Sequence, residues 1–357
     1  MASFEFQAKK NRRFLIFAAY PKWRFSVNDP MMALVDAFPG QLYKALEIAR
    51  NTQISGPEKA PANVLISGLG GSGIGGTIVS EMVMFEAVCP ISVNKDYFAP
   101  SFVNEETLAI ICSYSGNTEE TLQVLHEVIR KKAKVVVISS GGKALEVARE
   151  KNLEHIVIPG GMPPRSCLGY SMVQIIHVLL QKKVIGPSLF QQIEGAAKLL
   201  EANKAEIIDH AKALASFVLN RKAVIYSLGN TEGVSIRLRQ QLNENGKMLC
   251  WHHVLPEMNH NELVGWAASE QDLAVIILRY SSEYFRNQKR LEVCEQVFRK
   301  YTPHVMELKA KGSNALEEVF YHIHLGDFAS CYLAQAKNVD ASDISIINYL
   351  KNELAKI

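Results

Sequence analysis

The chain of 357 residues contains no uninterrupted apolar run of eighteen, the length a membrane-spanning helix needs, so no such span is expected. Its six cysteines are scattered without a CxxC pair. That leaves neither a disulfide framework nor a zinc knuckle to propose and fits reduced thiols in a cytoplasmic protein. No charge of one sign prevails: 39 Lys and Arg stand against 36 Asp and Glu, for a net charge of +3. The basic runs Lys9–Arg13 and Arg130–Lys134 are short and read as solvated faces, so nothing points to nucleic acid. What is plentiful is hydrophobic, 48% of the residues, enough at this length for two globular domains. Near the start, Lys9–Arg13 followed by Phe14–Tyr20 has the charge order of a secretory leader. Pro21–Arg24 offers no small-residue cleavage site, however, so residues 1–27 are expected to be an N-terminal extension.

Residues 29–53 read as an amphipathic helix divided by Pro39-Gly40. Short apolar strands are expected at 63–67, 89–94, 108–112, 134–139 and 154–158, with helices between them, the first running from the glycine turn to about Ala87. Such alternation implies a parallel sheet with helices on both faces. An apolar helix is expected over Tyr170–Val184, and one or two long helices over 188–219. The second half reads as a weakened copy of the first. Ala223–Gly229 echoes Asn63–Gly70, and Gln271–Ser282 echoes Glu106–Ser115, with fewer glycines. The expected architecture is therefore α/β, two doubly wound parallel-sheet domains (28–190 and 191–357) formed by internal duplication, with helical N-terminal and connecting segments. The anion-binding chemistry is expected in the first copy alone.

Two turns carry that chemistry. Leu108–Cys112 runs into Ser113-Tyr114-Ser115-Gly116-Asn117-Thr118 and then a helix opening on Glu119 and Glu120. Backbone N–H groups and hydroxyls at a helix N-terminus make an anion site. Upstream, a second strand runs into Gly68-Leu69-Gly70-Gly71-Ser72-Gly73. This matches the dinucleotide fingerprint, but no acidic residue stands at the end of the next strand, Asp96 lying beyond it. The Walker lysine is also missing, since Ile74 and Gly75 occupy its place. Glycines and hydroxyls without lysine suit a sugar phosphate better than a nucleoside triphosphate. Pro159–Gly169 is a Pro/Gly-rich loop at the ligand-binding edge, and it carries one arginine, Arg165.

In their order, GLGGSGIGG, SYSGNTEETL and PPRSCLGY resemble the sugar isomerase (SIS) domain family, and the whole set is similar to the bifunctional phosphoglucose/phosphomannose isomerases. The resemblance covers about residue 30 to the C-terminus. It implies that Gly71, Ser72, Ser113, Ser115 and Thr118 hold the substrate phosphate. By the same resemblance Arg165 stabilises the enediol(ate) and Glu244, in Asn243-Glu244-Asn245, moves a proton between C1 and C2. His260 would help open the sugar ring, and Lys351 would assist at the ring oxygen. The family commonly has a Pro-Thr-Pro-like segment where this chain has Asp340-Ala341-Ser342-Asp343. Ser342 keeps the hydroxyl thought to accommodate either C2 epimer. The resemblance further implies a homodimer, with His260 contributed across the interface, and a sugar-phosphate substrate. It implies no cofactor and no metal.

Those residue types suit aldose–ketose isomerisation on chemical grounds. A single carboxylate can act first as base and then as acid. A fixed cation beside the enediolate oxygen lowers the barrier, and the phosphate supplies remote binding energy. Other residues compete. Glu257 and Glu262 rival Glu244 as base, and Lys337 rivals Lys351. His252, His253 and His260 match no usual zinc spacing. His322 and His324 read as packing residues sharing a strand face. Two other functions would suit such turns: a sugar-phosphate-binding SIS protein without catalysis, and a dinucleotide-dependent oxidoreductase.

Overall fold

The structure is a computed structural model that describes residues 29–268 and 272–356. The expected extension at 1–27 lies outside the described residues. Five short apolar segments form a parallel sheet: β1 (Asn63–Ser67), β2 (Ile91–Asn94), β3 (Thr107–Ser113), β4 (Lys134–Ser139) and β5 (Glu154–Val157), in the order β2-β1-β3-β4-β5. β3 is buried at every residue, as a continuous apolar run requires when both faces are covered. A second parallel sheet contains β6 (Lys222–Leu228), β7 (Cys250–Leu255), β8 (Leu273–Arg279) and β9 (Val305–Lys309), in the order β7-β6-β8-β9. In each sheet the strand order reverses beside the first strand, between β1 and β3 and between β6 and β8. The crevice beyond the strand ends at such a reversal is where ligands bind in doubly wound sheets.

The helices, in chain order, are α1 (Pro30–Asp36), α2 (Phe38–Asn51), α3 (Gly70–Met82), α4 (Glu119–Arg130), α5 (Gly142–Glu150), α6 (Leu168–Gln181), α7 (Ser188–Ala202), α8 (Lys204–Val218), α9 (Glu232–Glu244), α10 (Glu262–Gly265), α11 (Phe285–Tyr301), α12 (Ala315–Ala336) and α13 (Ser345–Leu354). One continuous core joins the inner faces of both sheets through α2, α3, α6, α9 and α12. Smaller clusters seal the outer faces, under α4 and α5 on the first sheet and under α11 on the second. Helix α12 runs through the middle, buried from Leu316 to Ala334.

Several sequence expectations shift. The first amphipathic stretch breaks at Ala37, one residue before Phe38-Pro39. Pro39 then sits in the first turn of α2, where its missing N–H costs nothing. α3 stops at Met82, short of Ala87. His322 and His324 lie on the helix α12 and not on a strand. Being apolar all round, that helix has no hydrophilic stripe to reveal its period. The packing role expected of the two histidines stands. His322 Nε2 lies 3.1 Å from the Arg279 carbonyl, His324 Nε2 lies 3.0 Å from that of Val35, and burial lowers the pKa of both to about 4.

Candidate active site

The two anion turns meet at the carboxyl edge of the first sheet. Neither α3 nor α4 has a side-chain cap; in the first turn of α3 the Ser72 N–H is taken by the Leu69 carbonyl at 3.1 Å, and the Gly71 N–H stands open to a ligand. The Ser72 hydroxyl accepts the Tyr114 N–H at 3.1 Å, tying one turn to the other while its own proton stays free to donate. Ser113 Oγ donates to Thr118 Oγ1 at 3.1 Å, and Ser115 Oγ accepts the Asn117 N–H at 3.2 Å. Two glycines are required sterically. A Cβ on Gly71 would meet the Pro164 carbonyl oxygen at 2.8 Å. Gly116 has φ +69°, and a Cβ there would fall 1.8 Å from the Gly141 oxygen.

Gly71 thus lies directly against the turn that carries Arg165, the 3-10 segment Pro164–Ser166. Arg165 is 4% exposed, although its loop is rich in proline and glycine. A buried guanidinium must be paired, and this one is held on three sides. Nη1 donates to Glu244 Oε1 at 2.9 Å, Nε to Asn245 Oδ1 at 2.7 Å and Nη2 to the Ala341 carbonyl at 2.7 Å. Glu244 is the last residue of α9 and its side chain is 32% exposed, so the carboxylate stands at the mouth while its cation lies behind it. α3 and α9 pack against each other, a Cβ on Gly233 falling 2.8 Å from Ile78 Cγ1.

The segment around Ser342 is tethered to the same point. Lys247 Nζ donates to the Glu244 carbonyl and, at 2.8 Å, to that of Asp343; burial lowers its pKa, with Arg165 adding to the effect. Ser342 is exposed, its N–H turned to Asp340 Oδ1 at 2.7 Å. Lys337 is committed elsewhere: its Nζ bonds the carbonyls of Gly246 and Lys247 at 2.9 and 2.7 Å, closing the turn after Glu244.

His260 is not brought to this cluster within the chain. β7 starts after the Glu244 turn and His260 follows its far end, so the two residues sit at opposite edges of the second sheet. One strand length, about 20 Å, separates those edges. Glu257 and Glu262 lie beside His260, bonded to Asn261 and Tyr226 respectively, remote from Arg165. Lys351 is on α13, which has no buried residue. Among the described residues no hydrogen bond or ion pair links it to Glu244. Sequence reasoning missed Arg237, Asn245, Lys247 and Asp327. Asn245 alone had a signal, its place next to Glu244.

The corresponding edge of the second sheet is closed to anions by the protein's own carboxylates. The Gly233 N–H in the first turn of α9 meets both Glu81 oxygens, at 3.0 and 2.8 Å. The Tyr280 N–H meets Glu283 at 2.9 Å, and the Ser281 N–H meets Glu318 at 2.8 Å. Burial pushes the Glu81 carboxyl up to about 7, against the Gly233 bond and Lys95 and with help from Glu232.

Two hydroxyl- and glycine-rich turns thus stand beside a buried cation fixed against a partly exposed carboxylate. Residues 207–354 match the bacterial phospho-glucose isomerase C-terminal SIS domain. The fold also agrees with the C-terminal domain of glucosamine-fructose-6-phosphate aminotransferase from Francisella tularensis, at a TM-score of 0.68 over 88% of this chain and 98% of that one. Sequence identity there is 15%, so that likeness speaks for the fold alone. Fold and family match together define the SIS class. A bifunctional phosphoglucose/phosphomannose isomerase from Caldicellulosiruptor bescii is 34% identical over 92% of this chain and 99% of its own. One from Thermoplasma acidophilum is 36% identical, covering 82% and 90%. The chain belongs to the bifunctional phosphoglucose/phosphomannose isomerase family.

Proposed function

We propose that this isomerase interconverts glucose 6-phosphate with fructose 6-phosphate, and mannose 6-phosphate with fructose 6-phosphate, through a cis-enediol(ate). The observation that carries the reading is the ion pair of Arg165 with Glu244, 2.9 Å, beside the glycine turn. The phosphate is bound by the amide of Gly71 and the hydroxyls of Ser72, Ser113, Ser115 and Thr118, which fixes the far end of the open-chain sugar. Glu244 takes the proton from one of C1 and C2 and returns it to the other. The Arg165 guanidinium, fixed against Glu244, neutralises the charge gathering on the enediolate oxygens. Ser342 faces C2 from the tethered 340–343 segment and tolerates either epimer.

Ring opening falls to His260 with Lys351 at the ring oxygen. The distance of His260 from Glu244 within one chain supports a homodimer in which His260 of the partner subunit completes the site. On this reading residues 28–190 and 191–357 are duplicated SIS domains, of which the first keeps the phosphate site, and the enzyme works in the cytoplasm. Turnover of fructose 6-phosphate, with glucose 6-phosphate and mannose 6-phosphate quantified separately, tests the assignment. Both products are expected. Tight binding of the sugar phosphate without either product would instead mark a non-catalytic binding protein.

A further inference from the structure

We infer that Arg237, paired with Asp327, is a positioning residue that fixes Arg165 for the reaction. The inference rests on the roles given above to Arg165 and Glu244. Arg237 lies on α9 two turns before Glu244, and its side chain is 2% exposed. Its Nε and Nη2 meet the two Asp327 oxygens at 3.1 and 2.7 Å, and the Asp327 side chain is 6% exposed. Nη2 also donates to the backbone carbonyl of Arg165 at 2.6 Å.

These bonds belong to a closed circuit. From the Arg165 carbonyl the path runs through Arg237 to Asp327 on α12. The Asp327 carbonyl accepts the Ser330 hydroxyl at 2.7 Å, whose oxygen in turn accepts Asn245 Nδ2 at 2.9 Å. Asn245 Oδ1 then receives Arg165 Nε at 2.7 Å. Both ends of Arg165, its carbonyl and its guanidinium, are therefore set by α9 and α12 together. A buried ion pair is a poor way to gain stability, because apolar residues of the same volume often do as well. What apolar residues cannot supply here is a fixed donor on the Arg165 carbonyl. That donor is what the pair provides.

The test compares wild type, Arg237→Lys, and the charge-free double variant Arg237→Met/Asp327→Leu. It measures Tm, hydrogen exchange of the peptide 159–170, and kcat and KM for fructose 6-phosphate. The double variant is expected to keep a Tm close to wild type, while its 159–170 amides exchange about tenfold faster. Its kcat should fall about 100-fold, the cost of a small misplacement, with KM little changed. Arg237→Lys keeps the charge but cannot serve Asp327 and the Arg165 carbonyl together, so it should show the same kcat–KM split if the double variant folds poorly. Wild-type kcat and exchange in either well-folded variant would overturn the inference. The exchange arm decides it even if wild type turned over no sugar phosphate: faster exchange at 159–170 supports the positioning role, and unchanged exchange overturns it.

Discussion

Replacing Arg165 by lysine keeps one positive charge and removes the planar fork. The guanidinium serves Glu244, Asn245 and Ala341 at 2.9, 2.7 and 2.7 Å in three directions. One ammonium at the end of a flexible stem can reach Glu244 but leaves Asn245 Oδ1 and the Ala341 carbonyl without a donor. Each lost bond to a charged donor is worth about 1.5–3 kcal/mol, and partial rescue by the ammonium brings the total to about 3 kcal/mol. For a chain of this size that lowers Tm by about 5 °C. The catalytic loss is larger. Removing a preorganised donor from a developing oxyanion costs about 100- to 1,000-fold in kcat. KM should move little, since the proposed phosphate site lies in the two turns and does not include Arg165. Steady-state kinetics with fructose 6-phosphate, beside a thermal melt, check both numbers. A kcat within about threefold of wild type, together with the drop in Tm, would show that Arg165 only holds the 340–343 segment in place and would refute the electrostatic argument.

Other consequences are open to measurement. Glu81→Gln should raise Tm by about 2–4 °C at pH 8 and leave it nearly unchanged at pH 5. The folded-state pKa of about 7 lies above the ordinary 4.5, so the Glu81 contribution is present in full below pH 4.5 and is lost as the pH rises through 7. An equal Tm change at both pH values would contradict that cause. Mixing inactive Glu244→Gln and His260→Ala chains should restore about a quarter of wild-type activity if each site draws Glu244 and His260 from different subunits. No recovery after confirmed subunit exchange would place both groups in one chain. Ser342→Ala should lower the mannose 6-phosphate share of the product more than the glucose 6-phosphate share. Equal losses would remove Ser342 from epimer choice.

Much of the site was legible because the chemistry dictates local residue types. A helix start behind a buried strand, with hydroxyls at Ser113, Ser115 and Thr118, carries the donors an anion turn needs, and the helix start has no side-chain cap. Arg165 was harder. Its loop composition argues for solvent, and its partners Glu244, Asn245 and Ala341 lie 79, 80 and 176 residues away. Arg237 and Gln241 on α9 are residue types of a solvated face, yet both are buried, Arg237 because Asp327 on α12 compensates its charge. The His322 and His324 misreading has the opposite origin, a helix with too little polarity to show a period. In the second half the missing glycines were visible. The carboxylates that replace the anion were not, since Glu81 and Gly233 lie 152 residues apart.

The most direct test of the central claim, proton transfer by Glu244, is isomerisation in deuterium oxide. Over many turnovers wild type should place deuterium on the sugar carbons that exchange the proton, C1 of the ketose and C2 of the aldose. Glu244→Gln should bind fructose 6-phosphate and neither isomerise nor label it. Label-free product from wild type would mean a hydride shift, and continued labelling by Glu244→Gln would mean that another group is the base. Either result would contradict the account.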